Sequence, residues 1–167
     1  MSGFAEYYDG AERDSSSGHA TAGLFKLANE SAVDADSTRT CDFWSDPMAP
    51  MPPTVRAAFD KELEDAWATD DLDARWRSLE RAHILSQPWA LPHTRAHWHM
   101  LRLAVRCHDS REIIGQLVRL LVAGPGSSIG RVPVGNPGRA TVGLMVTVPI
   151  PEDLARVLAD GVARSSR

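Results

Sequence analysis

The stretch WRSLERAHILSQPWALPHTRAH, residues 76–97, decides the fold of this chain. In its first half Leu79 and His83 recur at helical spacing, and in its second half His93 and His97 stand four residues apart. The segment between them, QPWALP, is short and rich in turn residues. We therefore predict two antiparallel helices, with the end of the first beside the start of the second.

Further helices are predicted on both sides of this pair. One begins at Pro53, where a proline suits the first turn, and another follows Asp109 and ends at Gly124. The apolar residues predicted to face the core in the helix after Asp109 are Ile113, Ile114, Leu117, Leu120 and Leu121. With the central pair, these helices make two helical hairpins over residues 51–124, an all-α arrangement.

The two hairpins resemble each other in sequence. Sliding residues 63–85 onto residues 101–123, an offset of 38, aligns five identical residues in 23, among them Asp71 with Asp109. This period is close to that of tetratricopeptide-like helix pairs. Such arrays usually need about three repeats, so we expect the N-terminal segment or a partner to cover an open face.

Residues 1–50 differ in composition from the rest of the chain. They carry nine acidic against three basic side chains, a net charge of −6, and lack sustained periodicity. This composition predicts a disordered acidic tail, with one short helix from Ala22 to Ala32 around Leu24, Phe25 and Leu27. The prediction is thus one helical domain, residues 51–167, preceded by this tail.

Residues 125–167 are predicted to wrap across the helices. A turn-rich loop leads into a short extended segment from Thr141 to Val148, and a final short helix opens at Pro151. A lone strand cannot form a sheet, so the extended segment is expected to lie on the helices.

Charge and hydropathy exclude several classes of protein. Residues 51–124 hold ten basic and ten acidic side chains, so nothing favours a nucleic-acid partner. No apolar run approaches the roughly 18 residues of a membrane span, and we expect no membrane association. Two cysteines without a disulfide framework, and an N-terminus without a signal-peptide pattern, favour the cytoplasm.

The central hairpin carries a constellation of potential metal ligands. Glu80 and His83 lie at i,i+3 and His93 and His97 at i,i+4, so each pair shares a helix face. The short connection brings both pairs to one end of the hairpin. Three imidazoles and a carboxylate suit Zn²⁺, Fe²⁺ or Cu²⁺, without distinguishing among them. Glu-x-x-His is also half of a di-iron motif, but it occurs once, which favours a single ion.

Two other interpretations stay open. The histidines and Glu80 are equally well explained as a structural polar cluster, in which case the helical pairs form an interaction module for a partner protein or a second copy. Separately, the loop residues Arg131, Asn136 and Arg139 form a weaker candidate anion site, although the Lys and Ser/Thr of a phosphate loop are missing.

The motifs LERAH (residues 79–83), HTRAHWH (93–99) and GRVPVGN (130–136) resemble a family of small bacterial proteins, the domain of unknown function DUF3703. The resemblance covers about residues 53–160. It implies that Glu80, His83, His93, His97, Gly135 and Asn136 belong to the family pattern. It also implies a bacterial cytoplasmic protein, and supplies no activity.

The sequence therefore predicts a divalent-metal-binding helical protein, and a small metalloenzyme if the ion keeps an open position. The predicted ligands are Glu80, His83, His93 and His97.

Overall fold

The computed structural model describes residues 50–128 and 134–165 of the 167-residue chain. Within these ranges the secondary structure consists of five α-helices, with no strand. They are α1 (Pro53–Ala68), α2 (Leu72–Ser86), α3 (Ala90–Arg106), α4 (Ser110–Ser128) and α5 (Glu152–Ser165). The predicted all-α class is confirmed. The predicted tail and its short helix fall outside the described residues.

The helices begin where local chemistry favours them. Pro53 stands in the first turn of α1, and the Asp71 side chain caps α2 by accepting a hydrogen bond from the Asp73 amide. Asp109 does the same for α4, accepting from the Glu112 amide at 3.0 Å. α4 continues to Ser128, beyond the end predicted at Gly124.

The apolar core is formed by α1, α2, α3 and α5. Its largest fully buried side chains are Phe59 from α1, Leu79, Ile84 and Leu85 from α2, Met100 and Leu103 from α3, and Leu154 from α5. α1 packs against α2, α2 against α3, and α5 against α1 and α2. The core therefore leaves α4 at the side of the bundle, where it packs chiefly against α3.

α4 does not bury the stripe predicted for it. Ile114, Leu117 and Leu121 are exposed, whereas Glu112 and Gln116 are buried. Of the predicted stripe, Ile113 is the residue packed against the core cluster. The prediction was wrong because hydrogen bonding, not apolar burial, determines which side of α4 faces inward.

The segment from 134 to 151 crosses the helix ends as a loop. Between residues 139 and 146 it makes two tight turns, with Val142 donating to the Arg139 carbonyl and Val146 to the Gly143 carbonyl. Val148 then donates to the Val134 carbonyl at 3.1 Å, which closes the loop. Where an extended segment was predicted at 141–148, the chain thus turns on itself.

Candidate metal centre

The α2–α3 hairpin brings three histidines together. His83 lies in the last turn of α2, and His93 and His97 lie in the first two turns of α3. Each side chain is 3% exposed. The predicted convergence of these three imidazoles is confirmed.

All three rings present the same nitrogen to a common point. The Nε2 atom of His83 lies 2.8 Å from Nε2 of His93 and 3.1 Å from Nε2 of His97. Among the described residues, these three form the group of potential metal-ligating side chains whose ligand atoms lie within 4.8 Å of one another. Nitrogens bound at 2.0–2.1 Å to one ion are about 2.9–3.4 Å apart in octahedral or tetrahedral geometry, so the two separations measured from His83 Nε2 are close to those of ligands to one ion.

The outer nitrogen of His83 has a partner that determines where its proton lies. Nδ1 of His83 is 2.9 Å from the backbone carbonyl oxygen of Asn136. A carbonyl only accepts hydrogen bonds, so Nδ1 carries the proton and Nε2 carries a lone pair.

The same reasoning applies to His97. Its Nδ1 is 2.8 Å from Oε1 of Gln116. The Gln116 amide nitrogen donates to Glu112 Oε1 at 2.7 Å and to the Gly138 carbonyl at 2.8 Å, which leaves Oε1 as the acceptor. His97 is therefore protonated at Nδ1 and also presents a lone pair at Nε2.

Two lone pairs thus face each other across 3.1 Å in a buried site. A proton on His93 Nε2 could be donated to the lone pair of His83 Nε2. The contact between Nε2 of His83 and Nε2 of His97 would still have no proton to share. A cation at the point where the rings meet attracts all three nitrogens. Metal-bound histidines characteristically donate their other ring N–H to a carbonyl or side-chain oxygen, as His83 and His97 do here.

Burial also disfavours a proton as the shared cation. Burial, followed by the neighbouring His97 and His93, lowers the pKa of His83 well below its usual value. Burial lowers the pKa of His93 to about 3, with a further contribution from His97, and lowers that of His97 to about 4. At neutral pH the three rings are therefore neutral, the form in which imidazole binds metals.

Glu112 and Gln116 form a second layer that the sequence analysis missed. Gln116 is fully buried and Glu112 is 1% exposed. The Glu112 carboxylate also accepts from the Ala140 amide, at 3.0 and 3.2 Å, and from Arg139 Nε at 3.2 Å. Glu112 stands three residues after the Asp109 cap, and this spacing alone indicates no more than a capping box. The signal for a larger role is Gln116, a second polar residue one turn later on the same face of the helix.

Glu80, the fourth predicted ligand, lies one turn before His83 but outside the three-histidine group. Its Oε1 accepts from Arg139 Nη1 at 3.2 Å, and its Oε2 is buried without a hydrogen-bond partner. Burial raises the pKa of Glu80 to about 7, although the Arg139 charge opposes this shift. Glu80 as a ligand stays a prediction.

The loop after α4 holds the histidine site from outside. Gly138 has a φ of +83°, and a Cβ there would lie 2.8–2.9 Å from the His83 ring, so a glycine is required. The Asn136 side chain donates to the carbonyls of Gly143 and Val146 and accepts from the Gly138 amide. The loop thus packs directly on the imidazole whose tautomer it determines.

These contacts weigh against the weaker anion-site prediction. Arg131 lies outside the described residues. The Asn136 side chain bonds within the loop, and Arg139 pairs with Glu80 and Glu112 while its guanidinium lies 3.8 Å from the centre of the Trp76 ring. An anion would have to displace these carboxylates.

The remaining described histidines lie elsewhere. His99 Nδ1 accepts a hydrogen bond from Trp67 Nε1 at 2.9 Å, and His108 is an exposed residue with a φ of +54° after α3. Both are therefore available as controls for the central three.

The chain is thus a helical protein with a buried three-histidine centre. The family described as "Protein of unknown function (DUF3703)" matches residues 53–158, more than half of the chain, and the chain belongs to this family. No curated protein and no solved structure matches it. Within the described residues, no helix combines the length and apolar character needed to cross a bilayer.

Proposed function

We propose that this protein binds one divalent transition-metal ion through the Nε2 atoms of His83, His93 and His97. The observation that carries the proposal is the pair of opposed lone pairs on His83 and His97, each held in place by a hydrogen bond at Nδ1. Without a cation, this arrangement costs free energy; with one, it becomes a preorganised site. Imidazole ligands suit Zn²⁺, Fe²⁺ and Cu²⁺.

Metal titration of the full chain tests the proposal. Protein stripped with a chelator is titrated with Zn²⁺, Fe²⁺ and Cu²⁺ separately, and bound metal is measured by elemental analysis after gel filtration. We expect one ion per chain, and loss of that ion in His93→Ala and His97→Ala. The matched control is His108→Asn, which changes an exposed histidine. Equal metal content in all four proteins would contradict the proposal.

Glu80 is proposed as the source of a fourth ligand. The support is its unpartnered Oε2 atom, buried one helical turn from His83. Glu80→Gln removes the negative charge while nearly preserving the volume. If Glu80 is a ligand, this variant binds the ion at least tenfold more weakly. Unchanged affinity would instead assign the fourth coordination position to water or a substrate, as in catalytic zinc sites.

A helical-pair interaction module is the second candidate function. It is favoured by the apolar side chains that α4 exposes to solvent, with Ile114 64% and Leu121 78% exposed. In this alternative the three histidines are purely structural. The metal titration separates the two candidates, since a structural cluster binds no stoichiometric ion.

A further inference from the structure

The apolar side of α4 that faces solvent forms a continuous surface. It consists of Ile114, Leu117, Val118 and Leu121, which are 64%, 49%, 47% and 78% exposed. Their spacing of three and four residues places them on one face of the helix. We call these four side chains the outer face of α4. Glu112 and Gln116 on the opposite side are held inward by hydrogen bonds, so the helix cannot rotate to bury the outer face. Four exposed large aliphatic side chains in a row favour an occupant.

The outer face of α4 has a basic end. Arg111, in the first turn of α4, stands three residues before Ile114 on this face and is exposed. Among the described residues, no carboxylate forms an ion pair with Arg111. An occupant that fits this surface has an apolar stretch followed by acidic side chains.

Residues 22–36 of the same chain have this pattern. Leu24, Phe25 and Leu27 are followed by Glu30, Asp34 and Asp36. The predicted helix, Ala22–Ala32, would be about 16 Å long, and the outer face from Ile114 to Leu121 is about 10 Å long. With the acidic end beside Arg111, the segment lies antiparallel to α4.

The connecting chain is long enough for this placement. Residues 37–50 can span at most about 46–50 Å. The path from the basic end of the outer face to the start of α1 is about 40 Å, given the 16-residue length of α1 and a spacing of 8–10 Å between neighbouring helices. We infer that residues 22–36 bind the outer face of α4 in the same molecule and cover its apolar side chains. This inference is independent of the proposed metal site.

Disulfide trapping in the full chain tests the inference. In a Cys41→Ser, Cys107→Ser background, one protein carries Phe25→Cys with Leu121→Cys. The control carries Phe25→Cys with Ala57→Cys, an exposed position on α1 that is closer in sequence. Under mild oxidation at dilute protein concentration, the intrachain disulfide should form at least tenfold faster in the first protein. Arg111→Glu should slow its formation severalfold, and Arg164→Glu, on α5, should not.

Two outcomes would overturn the inference. Equal trapping rates in the two proteins would mean that residues 22–36 have no preference for α4. Disulfides that form mainly between chains would assign the outer face to a second copy.

Discussion

Gln116 determines which nitrogen of His97 faces the other two imidazoles. Its Oε1 accepts from His97 Nδ1, and its own amide group is oriented by Glu112 and by the Gly138 carbonyl. At the scale of single residues, the candidate site thus depends on hydrogen-bond acceptors as much as on the histidines. Its affinity for metal should depend on both.

Gln116→Leu should weaken Zn²⁺ binding by about 10- to 100-fold, because His97 loses the acceptor that orients its ring. The affinity is measured by competition with a chromophoric chelator. Gln87→Leu is the matched control, because Gln87 is a buried glutamine whose side chain bonds to the Asn136 carbonyl and the Gly135 amide of the same loop. The prediction fails if both variants lose affinity equally.

The metal-free protein should become less stable as the pH falls from about 6.5 to 4. The pKa values of His93 and His97 are lowered in the folded chain, to about 3 and about 4, so the unfolded chain binds more protons in this window. Each histidine contributes a slope of up to about 1.4 kcal/mol per pH unit. Urea unfolding at several pH values measures the slope.

Glu80 opposes this trend. Its pKa is raised to about 7 in the folded chain, so its contribution to stability falls as the pH rises from about 4.5 to 7. In metal-free Glu80→Gln protein, the gain in stability between pH 5 and 6.5 should therefore be steeper than in the unchanged chain. A flat profile in this variant would show that the histidines are not buried in neutral form.

At the scale of helices, the sequence predicts where helices begin better than it predicts which face of a helix is buried. The aspartates aligned by the internal repeat, Asp71 and Asp109, both cap helices. One aligned pair of leucines differs in burial: Leu79 is fully buried, whereas Leu117 is 49% exposed. Helix caps depend on local contacts, but burial depends on what packs against each face.

Asp109→Ala should lower the free energy of unfolding by about 1 kcal/mol, because the Glu112 amide at the start of α4 loses its acceptor. Asp65→Ala is the comparison, since it removes only an exposed ion pair with Lys61, which is worth about 0.3–0.5 kcal/mol. Chemical denaturation measures both. A smaller loss for Asp109→Ala than for Asp65→Ala would contradict the capping role.

At the scale of the whole molecule, the candidate centre joins segments that the apolar core leaves apart. It connects α2 and α3 through the imidazoles, α4 through Gln116, and the loop through Asn136 and Gly138. α4 contributes little to the apolar core, so these polar contacts hold it in place.

Metal binding should therefore stabilise the entire fold. At a free Zn²⁺ concentration 100 times the dissociation constant, the gain is about 2.7 kcal/mol, if the unfolded chain binds no ion. Thermal unfolding with and without Zn²⁺ measures the increase in Tm, which His108→Asn should retain and His97→Ala should lose. An increase that persists in His97→Ala would place the ion elsewhere.

The sequence by itself determined the helical class, the positions of the caps, and the meeting of His83, His93 and His97. Each of these follows from short-range rules: a 3.6-residue period, a side-chain oxygen at a helix start, and a connection too short to separate two helices. The three-histidine cluster could therefore be predicted, because all its residues lie within one helical hairpin.

The tertiary structure alone decided which side of α4 faces inward, the partnership of Glu80 with Arg139, and the roles of Glu112 and Gln116. These features depend on contacts between residues 19 or more positions apart, such as His97 with Gln116, Gln116 with Gly138, and Glu80 with Arg139. On α4 the apolar pattern indicated one face, but buried polar groups must keep their hydrogen bonds, at a cost of about 1–3 kcal/mol each when unsatisfied. Those hydrogen bonds place Glu112 and Gln116 on the inward side of α4 and leave most of its apolar residues facing solvent.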